Sequence, residues 1–132
     1  MRTYFWLALG GGLGTLARFW VNGVVSRYVG ETFPLGTLVI NVTGSFAIGV
    51  FAALTGADGR WLVGPTVRTF FMVGICGGYT TFSSFSLQTL NLAREGEWWH
   101  AIANTVLSVV CCLVAVWIGH EAALGLSQSE GH

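Results

Sequence analysis

Four long stretches of this 132-residue chain contain no charged side chain: 3–17, 32–57, 69–93 and 98–120, the last with its histidines neutral. A helix needs roughly 20 mostly apolar residues to cross the hydrocarbon of a bilayer. The last three stretches reach that length unaided, and the first continues past Arg18 as an apolar segment to Val25. With 53% hydrophobic residues, 9% charged residues and no lysine, this is not the composition of a water-soluble domain. The chain reads as an all-α membrane protein, one domain over 1–132, with spans at about 4–26, 35–56, 66–93 and 98–120. Arg2 ahead of an apolar run has the outline of a secretion signal. No small-residue cleavage site precedes Arg18, so the segment is kept as a span. Trp6, Trp61, Trp98 and Trp99 sit near predicted span ends, as interfacial aromatic residues do.

Arginine placement hardly chooses an orientation. With four spans, Arg2, Arg60 and Arg68 share one side, and Arg27 and Arg94 the other. Lys/Arg asymmetry sets topology, and a bias this slight suits insertion both ways up and an antiparallel dimer. Alternatively, Arg68 alone suffices to fix one orientation. No nucleic-acid partner is expected. Cys76, Cys111 and Cys112 all fall within spans without metal-ligand spacing, so they read as small core residues.

The segment 74–86 departs most from a plain lipid-facing helix. Gly74, Gly77 and Gly78 come first, followed by hydroxyls at Thr80, Thr81, Ser83, Ser84 and Ser86, interleaved with Phe82 and Phe85. Non-helical backbone at membrane depth persists only where protein or a wet cavity covers it. Glycine tolerates backbone angles that other residues resist, so Gly77-Gly78 is the expected break in the third span. Carbonyls opened there would face a cation or water. Beyond the break, Thr81, Ser84 and Gln88 share one helical face. Phe82 and Phe85, three apart, either pack together or aim their positive ring edges at an anion.

Other spans carry fewer signals. Gly10 and Gly14 form a small-xxx-small pair that admits a close neighbour helix. Arg18 lies far from either end of its span. It either snorkels to an interface or stands at a pore mouth, because a guanidinium in lipid costs ~3 kcal/mol or more without water or a partner. In the second span, Thr37, Asn41, Gly44, Ser45 and Ile48 share a face. The Asn41 amide either bonds a neighbouring helix or donates N–H to an anion. In the fourth span, Asn104, Ser108, Cys111 and Cys112 repeat that spacing. The tail from Gly125 to His132 reads as loose.

These residues carry a resemblance to bacterial fluoride channels of the Fluc (CrcB) family, over nearly the whole chain. Gly11, Gly14 and Arg18 match a Gly-x-x-Gly-x-x-x-Arg pattern. Gly36-Thr37-Leu38 with Asn41 matches Gly-Thr-Leu-x-x-Asn. Gly77 through Ser86 matches Gly-Gly-x-Thr-Thr-Phe-Ser-x-Phe-Ser, which is long and specific. The resemblance implies a four-helix chain forming an antiparallel homodimer with two pores. It also implies a structural, untransported sodium ion at the dimer centre, held by the carbonyls of Gly77 and Thr80. It lines the fluoride path with Phe82, Phe85 and Asn41, and places Arg18 in the vestibule. Gln88 stands where the family commonly has Glu. Cys111-Cys112-Leu113 stands where it commonly has Gly-Ser-Leu, and a thiol is a weaker donor than a hydroxyl, so Ser108 is the substitute for Cys112.

The expected activity is passive, fluoride-selective export across the cytoplasmic membrane, lowering the fluoride concentration inside the cell. Asn41, Thr81, Ser83, Ser84, Ser108 and the rims of Phe82 and Phe85 would replace the anion's water. A small dimeric four-helix multidrug/proton exporter is the alternative. That chemistry needs a carboxylate inside the membrane, and no Asp or Glu lies within a predicted span; Glu97 and Glu121 are at ends. A non-conducting assembly subunit would explain the glycines but not the hydroxyl–aromatic alternation. An enzyme is not expected, because acid–base work has no mid-span His, Asp or Glu cluster to use.

Overall fold

A computed structural model describes residues 1–129, and every regular element among them is helical. Helix α1 covers Arg2–Val29 and α2 covers Leu35–Leu54. A rod then forms from α3 (Pro65–Thr69), a π-helical segment (Phe70–Cys76) and α4 (Gly77–Tyr79). After a break come α5 (Phe82–Arg94) and α6 (Trp98–Ser129).

Helix ends follow local chemistry. Pro34 precedes α2, and Gly64 leads into α3 with Pro65 in its first turn, where the missing N–H costs nothing. At the other end of α2, Arg68 Nη1 donates to the Thr55 carbonyl at 2.8 Å. A cation there meets the negative end of the helix dipole, so this arginine ties α3 to the end of α2.

Among the described residues, three segments are long and apolar enough to cross a membrane: Leu35–Leu54, Pro65–Arg94 and Trp98–Ser129. Helix α1 is not among them, although at 28 residues it is about 42 Å long at 1.5 Å per residue. Its outer face is bulky and apolar: Leu9, Leu13, Leu16, Phe19 and Trp20 are all exposed.

Packing turns on glycine. Helix α1 lies on the π segment and α4, while α2 lies along α6. A Cβ on Gly14 would strike the Ile75 carbonyl and the Tyr79 nitrogen. One on Gly78 would strike the Gly11 carbonyl, and one on Gly10 would meet Phe70 O and the Gly74 Cα. Gly49 and Gly119 play the same part between α2 and α6, against the Val116 and Phe46 carbonyls. Without a hydrophobic drive between helices in lipid, such backbone approach is what holds them together. The small-residue pair Gly10/Gly14 therefore does what its spacing suggested, and its neighbour is the 70–79 stretch.

Two expectations are corrected. The break is not at Gly77-Gly78. Gly77 is α-helical (φ −65°, ψ −37°), and the chain leaves the helix at Thr80 (φ −81°, ψ 158°) and Thr81 (φ −152°, ψ 110°). Glycine permits a break but does not impose one; Gly78 is needed for its approach to Gly11, and the break falls where side chains take over the backbone hydrogen bonds. The tail is also not loose from Gly125, because α6 continues through Ser129. One interior glycine costs about 1 kcal/mol relative to alanine, too little to end a helix of this length. The remainder of that tail, residues 130–132, lies outside the described residues.

Gly14→Val should lower the unfolding free energy of the detergent-solubilised protein by about 1–3 kcal/mol, the usual penalty for overpacking. Gly12 has open space at its Cβ position, so Gly12→Ala should cost nothing and gain up to about 1 kcal/mol. An SDS titration followed by circular dichroism distinguishes the two.

Candidate functional site

The break is built by two side chains. Asn41 on α2 accepts the Thr81 N–H on Oδ1 at 2.7 Å and donates from Nδ2 to the Thr81 carbonyl at 3.0 Å. Thr81 is the N-cap of α5: its Oγ1 accepts the Ser84 N–H at 3.2 Å and donates to Ser84 Oγ at 3.0 Å. In an unbroken helix the Thr81 N–H would close on the Gly77 carbonyl, and the Ser84 N–H on the Thr80 carbonyl. Both donors are diverted, so these two carbonyls lose their helical partners. Thr80 remains anchored backwards, its N–H and Oγ1 each reaching the Cys76 carbonyl at 2.9 Å.

A cleft of about 430 Å³ opens beside the break. Its lining includes Asn41, Gly44, Ser45 and Ile48 from α2, then Cys76, Gly77, Thr80 and Thr81. Phe82 and Phe85 come from α5, and Ser108 and Cys112 from α6. The two rings lie 5.3 Å apart between centroids, tilted at 51°. Phe85 is buried at 8% exposure, whereas Phe82 is 76% exposed. Leu113 on the same rim is also exposed, so one wall of the cleft is uncovered.

On the other side of Thr81 lies a second cleft of about 200 Å³, lined by Thr15, Arg18, Asn22, Thr37, Ser84 and Gln88 among others. Arg18 supplies its one formal charge. A third cleft of about 300 Å³ shares Asn22 and Gln88 with it and leads out past Asn91, Glu31 and Glu95. Gln88 Oε1 is buried without a hydrogen-bond partner. Thr81 therefore borders the first two clefts, and Gln88 the second and third.

The structure brings Asn41, Thr81, Phe82, Phe85, Ser108, Gly77 and Thr80 to one cleft. Arg18 and Ser84 belong to the second, on the far side of Thr81. Ser83 is exposed and lines neither; its hydroxyl sits 3.4 Å from Thr81 Oγ1. The shared face of Thr81, Ser84 and Gln88 is present as one wall of the second cleft. Of the two roles open to Asn41, the interhelical bond is present, and it uses one of the two Nδ2 hydrogens. The expected common face of the fourth span divides: Ser108 and Cys112 reach the cleft, while Cys111 faces an apolar groove between α2 and α6.

Asn104 carries more structure than its place in the sequence suggested. It is 1% exposed, and its Nδ2 donates to Thr89 Oγ1 at 2.9 Å while its Oδ1 accepts from Ser108 Oγ at 3.4 Å. Thr89 in turn donates to the Phe85 carbonyl at 2.8 Å. Asn104 thus ties the Phe85 turn of α5 to the Ser108 turn of α6. The signal that singled out Asn41, a mid-span amide that needs partners, applied equally to Asn104. Asn22 was also legible, one turn from Arg18 on the same face.

Fold and site together define a multi-pass membrane protein whose apolar segment Pro65–Arg94 breaks beside a polar-edged cleft. The family model described as CrcB-like protein, Camphor Resistance (CrcB), matches residues 5–120. The chain belongs to that family. It is 60% identical over 131 residues to a protein of Opitutus terrae named fluoride-specific ion channel FluC, covering 99% of both chains. A protein of the same name from Methylocella silvestris is 57% identical, covering 97% of this chain and 98% of that one. A third, from Rhodospirillum rubrum, is 56% identical, with 96% and 98% covered.

Thr81→Val removes the cap and should cost about 1 kcal/mol of stability. Thr81→Ser keeps the hydroxyl and should stay within about 0.5 kcal/mol. The same SDS titration reads both.

Proposed function

We propose that this chain is a fluoride-selective channel, not an enzyme, that passively exports fluoride across the cytoplasmic membrane and so lowers its toxic concentration in the cell. The observation that carries the reading is the cleft at the break, where an amide, hydroxyls and two aromatic rings converge inside an apolar bundle. Near-full-length relatives named fluoride-specific ion channels support it. The chain would act as one multi-pass membrane domain with α1 as a fourth span, its exposed Leu13, Leu16 and Phe19 facing lipid.

The chemical problem is replacing the shell of a strongly hydrated small anion. Conduction needs binding strong enough to admit the ion and weak enough to release it. Neutral donors meet that condition better than a fixed cation in the narrowest part. The remaining Nδ2 hydrogen of Asn41 supplies a donor, the Thr81 and Ser108 hydroxyls would turn from Ser84 and Asn104 to supply two more, and Phe82 and Phe85 supply positive ring edges. Arg18, with Ser84 and Gln88, would gather anions in the second cleft. Ser83, being exposed, would reach the route only in an assembly.

The uncovered wall bearing Phe82 calls for a second copy, and the slight arginine bias suits an antiparallel homodimer with dual topology. Gly77 and Thr80 fit a structural sodium site at its centre: both carbonyls have lost their helical donors, and both residues border the cleft. When bound, the ion supplies positive potential beside the route and ties the two breaks together. The exporter alternative lacks its essential group, since no Asp or Glu lines either of the first two clefts.

Liposomes holding the purified protein should release fluoride, followed with a fluoride electrode, and retain chloride. No fluoride release would remove the channel reading; equal chloride release would remove its selectivity. Phe82→Ile and Phe85→Ile should each slow fluoride release about tenfold or more, roughly 1.4 kcal/mol of barrier, without changing elution on a sizing column. Replacing sodium on both sides with N-methyl-D-glucamine should silence the release.

A further inference from the structure

We propose that Asn41 is a positioning residue for the cation seat: its amide clasp on Thr81, and not the glycines, frees the carbonyl that would bind sodium. The inference rests on the reading of Gly77 and Thr80 as that seat. Both hydrogen bonds of the clasp go to a single peptide-bearing residue, at 2.7 Å from the Thr81 N–H and 3.0 Å to its carbonyl. Thr81 is buried at 8% exposure, and its N–H is taken up by Asn41 Oδ1. A buried backbone donor must find an acceptor. Without Asn41 Oδ1, the nearest one by helix geometry is the Gly77 carbonyl, four residues back. Making that bond would close the break and take from the seat one of its two oxygens. The glycines do not prevent this, because Gly77 already has helical angles.

Oδ1 and Nδ2 are thereby given different work. Oδ1 keeps the Thr81 N–H off the Gly77 carbonyl and so sets cation affinity. Nδ2 holds the Thr81 carbonyl with one hydrogen and leaves the other for the cleft. A residue that retains an acceptor at this position should preserve the seat even when it ruins anion passage. A residue of the same size without an acceptor should lose the seat.

The test is the thermal unfolding midpoint of the purified full-length protein in detergent, followed by tryptophan fluorescence. Sodium chloride is titrated against N-methyl-D-glucamine chloride at constant ionic strength, without fluoride. The quantity read is the sodium concentration giving half of the maximal stabilisation, since a ligand that binds only the folded state stabilises it by mass action. For Asn41→Leu this midpoint should rise about tenfold or more, equivalent to about 1.4 kcal/mol of affinity. For Asn41→Asp it should stay within about threefold of the parent while fluoride release from liposomes falls. A purely structural loss would lower every melting temperature alike and leave the sodium midpoint in place, so an unmoved midpoint in Asn41→Leu overturns the proposal. A tenfold rise in Asn41→Asp equally overturns it. Should Asn41→Leu fail to yield folded protein, Asn41→Ala, which also lacks the acceptor, takes its place with the same expected rise and the same overturning result. If the parent shows no sodium-dependent stabilisation, the seat itself is refuted and this inference goes with it. A sodium effect that the leucine variant leaves unchanged refutes the inference alone.

Discussion

The pair of hydrogen bonds between Asn41 and the Thr81 peptide is the constraint on which the rest of the site depends. A helix interrupted in a membrane leaves backbone donors and acceptors without water, at several kcal/mol for each unsatisfied group. Here Asn41 satisfies Thr81, and the Thr81 hydroxyl satisfies Ser84. What remains open includes the Gly77 and Thr80 carbonyls and, at the start of α5, the Phe82 and Ser83 N–H groups. The interruption is thus only partly covered: side chains satisfy the Thr81 and Ser84 donors, and the Gly77 and Thr80 carbonyls stand without their helical donors.

That arrangement needs close helices, and glycine supplies them. Gly14 and Gly78 bring α1 and the 70–79 rod into backbone contact, while Gly49 and Gly119 do so for α2 and α6. Gly44 makes room for Thr80 and Tyr79 beside α2, the helix whose Asn41 must reach Thr81. A bulkier residue there would push the rod away from the amide that holds it open. Asn104 plays the parallel part on the other flank, fixing α5 to α6 through Thr89 and Ser108. Half-buried Asn41 and buried Asn104 therefore define the cleft walls, each through a neighbouring threonine.

Much of this was legible in the sequence. Uncharged length gave the helices, small-residue spacing gave the α1 contact, and face periodicity put Asn41, Gly44 and Ser45 on one wall. The position of the break was not legible, because glycine reports only where a chain is free to bend. Which residue bends depends on a hydrogen bond to Asn41, forty positions earlier in sequence. The π-helical segment Phe70–Cys76 had no local signal either; its wide turns lie where Phe70 and Gly74 meet Gly10. Arg18 could be placed on a face but not assigned to a cleft, and Thr81, which divides the two clefts, looked like any other hydroxyl in the row. The continuation of α6 past Gly125 followed from the weakness of a single glycine as a helix terminator.

The central claim is that the cleft beside the break becomes a closed, water-replacing anion route when two copies meet. A density map of the assembled protein in a lipid nanodisc, with sodium and fluoride present, tests it most directly. The account predicts Phe82 covered by protein, with a continuous route running past Asn41, Phe85 and Ser108. Phe82 and the mouth of the cleft facing acyl chains, with no such route beside them, would contradict it.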